Sequence, residues 1–211
     1  MKSTPRDSAL TEGLLRTFAV LTLGLFVGNV AYQWWTDTSR YTLLLLLLTE
    51  SFTLGLVLFA RRAVTRDMSP VAVGATIYAI FFFTFYGYSD TVRGIPEWVG
   101  ATLQLIGLAW QVCAKIALGR CFGLLPATRG LVTSGPYRWV RHPIYLGYLI
   151  AHLGFLLSNF SLRNLTVLAV LYLAQAVRVS REESALKAGE HGTDYADYCA
   201  AVRYRIVPFV F

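Results

Sequence analysis

The chain has 211 residues, of which 55% are hydrophobic, 14% aromatic and only 15% charged, with a net charge of +7 and a mean hydropathy of +0.52. That is too apolar for an ordinary soluble domain. The basic excess does not call for a nucleic-acid partner, because the basic residues border apolar runs, where they face anionic lipid headgroups.

Four long apolar runs come first, at about 14–35, 41–60, 71–90 and 98–118, each close to the roughly 20 residues a helix needs to cross the hydrocarbon core. The segment before the first, "MKSTPRDSALTEGLLR", has no small-residue cleavage pattern, so the run reads as a retained span rather than a signal peptide. After residue 142, "PIYLGYLIAHLGFLLSNF" and "LRNLTVLAVLYLAQAV" predict a tight helical hairpin turning between Ser158 and Arg163. The total is six crossings, or five if the first run lies in the interface. From Arg178 the tail reads as an extension of the last helix, a break at "AGEHGTD" and an amphipathic helix "DYADYCAAVRYRIV" ended by Pro208. Tyr195, Tyr198 and Val202 form its apolar stripe, and such a helix can also lie flat on a membrane surface. The fold class is therefore an all-α integral membrane protein with five or six transmembrane helices, a C-terminal helical hairpin and a cytoplasmic amphipathic tail helix. Residues 1–104 hold N-terminal spans and 105–211 the chemically richer core.

Lys and Arg are distributed very unevenly between the loops. Lys2, Arg6, Arg16, Arg61, Arg62, Arg66, Lys115, Arg120, Arg129, Arg138, Arg141, Arg178, Arg181, Lys187, Arg203 and Arg205 fall on one side, against Arg40, Arg93 and Arg163 on the other. By the positive-inside rule this multi-pass chain has both termini cytoplasmic, in the inner membrane if the source is bacterial. Cys113, Cys121 and Cys199 have neither metal-ligand spacing nor the even count of a disulfide framework, and are structural or incidental; no metal is expected.

Concentrated polarity lies in 119–143 and 178–208, which flank the hairpin and so return to one membrane face. In "GPYRWVRHPIYLG" (135–147), Gly135-Pro136 is a turn signal and Pro143 suits the first position of a helix starting near His142. The helix start, with Arg141 and His142 before it and Tyr145 and Gly147 on its first turns, offers donors for a carboxylate or phosphate. The same residues also suit plain membrane-interface duty. "RVSREES" (178–184) spaces Arg178 and Glu182 four apart on one helix face, beside Arg181 and Glu183. It reads either as a solvated face or as the partner of His142. Glu50 is an intramembrane carboxylate, either functional or neutral and bonded to a neighbouring helix. His152 suits packing or interhelical hydrogen bonding, and His191 lacks a partner at metal spacing.

Two clusters in this order resemble the isoprenylcysteine carboxyl methyltransferase family of integral membrane enzymes, related to the phospholipid methyltransferases. The matching residues are "LVTSGPYRWVRHPIYLG" (131–147), a helical pair, "REESAL" (181–186) and a tail with Tyr195, Tyr198 and Pro208, together roughly 105–208. The resemblance implies S-adenosylmethionine as cofactor, held without a Rossmann fold in a cytoplasmic pocket between hairpin and tail. It implies that Leu131 and Val132 line the adenosine, Tyr137 closes beside it, and His142, Pro143, Ile144 and Tyr145 receive the methionine portion. Glu182, with Glu183, would bind the cofactor's amino group, and Arg178 would face the acceptor. The family's Phe-Gly ahead of the paired tyrosines is His191-Gly192 here, which leaves the geometry of the tail's lid open.

The activity implied is S-adenosylmethionine-dependent methyl transfer to a lipophilic or lipidated substrate from the bilayer, foremost carboxyl O-methylation. A phospholipid amine, a phenolic lipid or a thiol is the alternative acceptor. Arg178 would orient a carboxylate; an amine or phenol needs a base, for which Glu182, Glu183 or His142 qualifies. Membrane reductases of the sterol class share a related tail signature. A transporter would be expected to show repeated halves and polar groups in several spans, and a scaffold needs none of His142, Arg178 and Glu182.

Overall fold

A computed structural model of the protein describes residues 5–59, 69–88, 90–118, 131–188 and 192–210. Among them are seven α-helices: α1 (Pro5–Thr36), α2 (Tyr41–Phe59), α3 (Pro70–Phe81), α4 (Glu97–Leu118), α5 (Pro143–Ser158), α6 (Leu162–Ala188) and α7 (Gly192–Ala201). The loop carrying Arg61, Arg62 and Arg66, the stretch with Arg120, Cys121 and Arg129, and Lys2 and His191 lie outside the described residues. Among the described residues two helices, α4 and α6, are long and apolar enough to cross a membrane; Tyr41–Phe52, Pro70–Phe85 and Pro143–Ser158 are shorter apolar segments. The division at residues 104/105 falls inside the continuous α4.

The third run is not a single helix to residue 90. Ser69 caps α3, with Pro70 in its first turn, but the α-helix ends at Phe81 and a 3-10 turn, Phe82–Phe85, follows. The run "FFFTFYGY" explains the stop: aromatic side chains and Thr lose rotamer freedom in a helix, and Gly87 adds backbone freedom. The irregular chain beyond needs its polar backbone satisfied, above all in an apolar setting. Asn164 does this for Gly87, accepting from its N–H at 2.8 Å and donating to its carbonyl at 2.9 Å. Arg163 donates to the Phe85 carbonyl at 2.7 Å, Arg40 donates to that of Tyr88 at 2.7 Å, and Val92 pairs with Phe160 in an isolated antiparallel bridge. Arg40 also donates to Asn159 at 2.6 Å, which ties the α1–α2 turn to the α5–α6 turn.

The predicted hairpin turn is where the sequence places it, since α5 ends at Ser158 and α6 begins at Leu162. The predicted tightness is not: α5's intimate neighbour is α4, and α6 stands further off. Small residues cause this. A Cβ on Gly107 would lie 2.5 Å from the Ala151 nitrogen, and one on Gly147 would lie 2.8 Å from the Gly107 carbonyl oxygen. The two backbones therefore touch, as small-residue interfaces allow. Gly100 meets Gly154 and Ser158 while Gly147 meets Gln111, so α4 and α5 run antiparallel. The exposed Trp98 and Trp139 consequently sit at opposite ends of the bundle, as the two aromatic belts of a membrane protein do. The main core gathers Phe26, Val30, Phe83, Tyr86, Phe155 and Leu171 from α1, the 82–88 segment, α5 and α6.

The tail also departs from expectation. The amphipathic helix ends at Ala201 rather than continuing to Val207. Beyond it the backbone turns, and the Tyr204 and Arg205 carbonyls accept from the N–H groups of Arg141 and His142. Tyr195, Tyr198 and Val202 do form a buried apolar stripe, packed against Leu131, Leu186 and Cys199.

Candidate functional site

Pro143 stands at the first turn of α5 with His142 as its N-cap, and a 3-10 turn, Gly135–Arg138, precedes it; Gly135 has φ +60, which favours glycine. The helix start is not an open row of N–H groups. His142 N–H donates to the Arg205 carbonyl at 2.7 Å, Arg141 N–H donates to that of Tyr204 at 2.9 Å, and Pro143 has none to offer. The tail has covered most of the anion site that the helix start alone suggests.

The centre of the cluster is Glu183, 3% exposed. Its Oε1 is 3.0 Å from Arg141 Nη1 and 3.2 Å from His142 Nε2, and its Oε2 is 3.3 Å from Arg205 Nη2. Glu183 lies past the roughly 20 residues of α6 that a bilayer would take up. Burial by itself would raise its carboxyl pKa, but the hydrogen bond from His142, with the charges of His142, Arg141 and Arg205, holds it below the ordinary glutamate value. Arg141 further donates to Cys199 Sγ at 3.1 Å and to the Arg203 carbonyl at 3.2 Å. Glu183 and Arg141 together fasten α6, the 135–142 segment and the tail.

Glu182 is in a different position. Its carboxylate is part-exposed, 3.9 Å from His142 Nδ1 and hydrogen-bonded with Tyr145. The Arg178 guanidinium lies 5.8 Å from the centroid of the Tyr145 ring, in cation–π range, and donates to Gln175 Oε1 at 3.1 Å. The His142 and Tyr145 rings meet edge to face at 5.8 Å. His142, Tyr145, Arg178, Glu182 and Glu183 are thus one cluster, assembled from α5 and α6. Tyr137 is buried, and its carbonyl accepts from the Tyr198 hydroxyl at 2.7 Å. Leu131 packs on the α7 stripe, Val132 and Ile144 are half-buried, and Pro143 is buried.

Three participants were not singled out from sequence as parts of the cluster. Arg205 and Cys199 come from the tail, and buried Gln175 supports Arg178 one turn earlier on α6. Only Gln175 left a local sign, a polar residue three before Arg178 in an apolar run. Glu50 and His152, separate in the sequence reading, meet: His152 Nε2 is 3.4 Å from Glu50 Oε1.

The donor set fits an amino-acid-bearing cofactor in part. The Glu183 charge is already matched by protein cations, whereas part-exposed Glu182 can take an ammonium. Over 85 residues the chain is 36% identical to the Delta(14)-sterol reductase of Mus musculus, a stretch covering 39% of this chain and 20% of that protein. The chain thus spans about a fifth of the length of this curated relative. Residues 95–189 match the phospholipid methyltransferase family model. That stretch contains α4, α5 and α6 and every residue of the cluster except those of the tail, and the match supports a membrane methyltransferase.

Proposed function

We propose that the protein transfers a methyl group from S-adenosylmethionine to a lipophilic acceptor dissolved in the bilayer, with carboxyl O-methylation as the leading reaction. The observation that carries this is Arg178, held over the Tyr145 ring one turn from Glu182. A fixed cation and a part-exposed carboxylate stand side by side where the apolar half of α6 gives way to its polar end. When bound, the cofactor supplies a methyl group on a sulfonium that leaves as a neutral thioether, so no protein nucleophile is required. Glu182 takes the cofactor's ammonium, with Tyr145 fixing its carboxylate. Arg178 pairs with the acceptor carboxylate and aligns one oxygen for attack on the methyl carbon from the side opposite sulfur. Leu131, Val132, Tyr137, Pro143 and Ile144 exclude water around the cofactor. Glu183 acts through His142 and Arg141, as a positioning residue.

The chain is read as a multi-pass membrane protein with both termini and this site cytoplasmic, its partners being membrane lipids and the acceptor. Its methyltransferase core is residues 105–211 together with the first turns of α4.

Calorimetry in detergent tests the cofactor reading. A binding signal for S-adenosylmethionine that is lost in Glu182→Ala supports it, and binding of NADPH instead, run beside it because of the reductase similarity, overturns it. The family match favours a second acceptor, a phospholipid amine, for which His142 would serve as base. Methyl-labelled cofactor offered with farnesylcysteine or with phosphatidylethanolamine vesicles separates the two.

A further inference from the structure

A second polar group is buried ten residues along α5 from His142 and ten back along α6 from Glu182. Glu50 of α2 and His152 of α5 are 5% and 3% exposed. His152 Nε2 is 3.4 Å from Glu50 Oε1, and its Nδ1 is 2.9 Å from the Tyr172 hydroxyl of α6. The tautomer with its hydrogen on Nε2 satisfies both contacts, Tyr172 donating to Nδ1 and Nε2–H donating to Glu50. Phe82 stands edge-on to His152 at 5.1 Å and to Tyr86 at 5.6 Å. Tyr86 is 2% exposed, its hydroxyl has no hydrogen-bond partner among the described residues, and its ring lies 4.6 Å from that of Phe155, one turn along α5 from His152. Burying an unsatisfied hydroxyl is costly. An open hydroxyl beside the buried Glu50–His152–Tyr172 group is a contact that a ligand's polar atom can use.

This group and the cytoplasmic cluster are the two ends of one seam. On α5 the residues His142, Tyr145 and His152 advance by three and then seven; on α6 their opposites Glu182, Arg178 and Tyr172 retreat by four and then six. At 1.5 Å per residue the seam is about 15 Å long. It lies between the two helices that stand apart, while α4 seals the other side of α5.

We propose that Glu50, His152, Tyr172 and Tyr86 form a binding site within the membrane for a hydroxyl group carried by the lipid acceptor. A hydroxyl both donates and accepts, so it bonds to the Glu50 carboxylate and takes the hydrogen of Tyr86. A hydrocarbon can do neither, and an ammonium has no lone pair to take the hydrogen of Tyr86 and is costly at this depth. The site selects acceptors by a group remote from the methylated atom. The inference rests on the reading that the acceptor approaches the cofactor from the bilayer.

Because the chain has three histidines, histidine-selective 15N NMR in detergent tests it directly, with His152→Gln assigning the relevant resonance. Farnesol is titrated against its hydroxyl-free hydrocarbon analogue and against farnesylamine, and S-adenosylmethionine is added separately. The expected result is a His152 shift with farnesol alone, its midpoint raised roughly tenfold in Tyr86→Phe and in Glu50→Gln, as the loss of one buried hydrogen bond implies. A His152 resonance indifferent to farnesol, equally responsive to hydrocarbon or amine, or unchanged by both variants overturns the proposal. The His142 response to S-adenosylmethionine is read in the same samples. If it is absent, the methyltransferase reading fails, whatever His152 does.

Discussion

The His142 N–H donates to the Arg205 carbonyl oxygen at 2.7 Å, although the two residues are far apart in sequence. The tail is thereby laid against the start of α5, and the Arg205 side chain reaches Glu183 from the same position. The end of the chain is part of the wall of the candidate site.

That wall should loosen when Tyr198 loses its hydroxyl. Tyr198→Phe removes the buried bond to the Tyr137 carbonyl at a cost of about 1 kcal/mol, with more if the carbonyl stays dry. Faster protease cleavage within the tail, at unchanged cleavage elsewhere, is the expected reading.

Glu183 sets the acid limit of the same contact. Its pKa is lowered in the folded protein from the ordinary 4.5, so its stabilisation is complete above the unfolded value and disappears as pH falls through the lower folded one. Thermal unfolding should be insensitive to this group from neutral pH down to the unfolded value and should fall as pH drops from there through the folded one. Glu183→Gln should cost about 3 kcal/mol at most at neutral pH, since Arg205 is part-exposed, and should remove the acid-dependent component. An unaltered acid profile in the variant would show that another carboxylate sets the limit.

Arg178 should separate acceptor from cofactor. Arg178→Ala is expected to lower methyl transfer to a carboxylate acceptor roughly 100-fold, as loss of a charge-assisted contact at the reacting group implies, with S-adenosylmethionine affinity within about twofold. Arg178→Lys keeps the charge but not the planar fork, and should recover only part of the rate. Turnover unchanged in Arg178→Ala would remove it from the acceptor site.

The α4–α5 seam should tolerate no side chain. Gly147→Ala places a Cβ 2.5 Å from Gln111 Cγ and 2.8 Å from the Gly107 carbonyl, an overpacking worth about 1–3 kcal/mol. Gly74→Ala in α3 meets nothing within 4 Å and should be neutral or stabilising by up to about 1 kcal/mol. Comparing their unfolding temperatures in one detergent checks both.

Much of the architecture was already determined by local pattern. Apolar runs marked α2, α4, α5 and α6, Pro143 and Ser158 bounded α5, and a hairpin between two polar segments was enough to bring His142 to Glu182. These follow from periodicity, length and chain order, which act over neighbouring residues. What only the tertiary structure decided concerns partners with no fixed sequence spacing. Which of Glu182 and Glu183 is tied up by cations depended on where the tail lays Arg205, and beyond Ala201 the tail is laid out so that the Tyr204 and Arg205 carbonyls accept from Arg141 and His142. The run "FFFTFYGY" weakens the third helix locally, but the irregular backbone beyond Phe81 is sustained by Asn164, Arg163 and Arg40, all remote in sequence. Glu50 and His152 each read as an isolated polar residue in an apolar helix. Burial in a low-dielectric interior gives each a strong need for a partner, and only the packing of α2 against α5 shows that they answer one another.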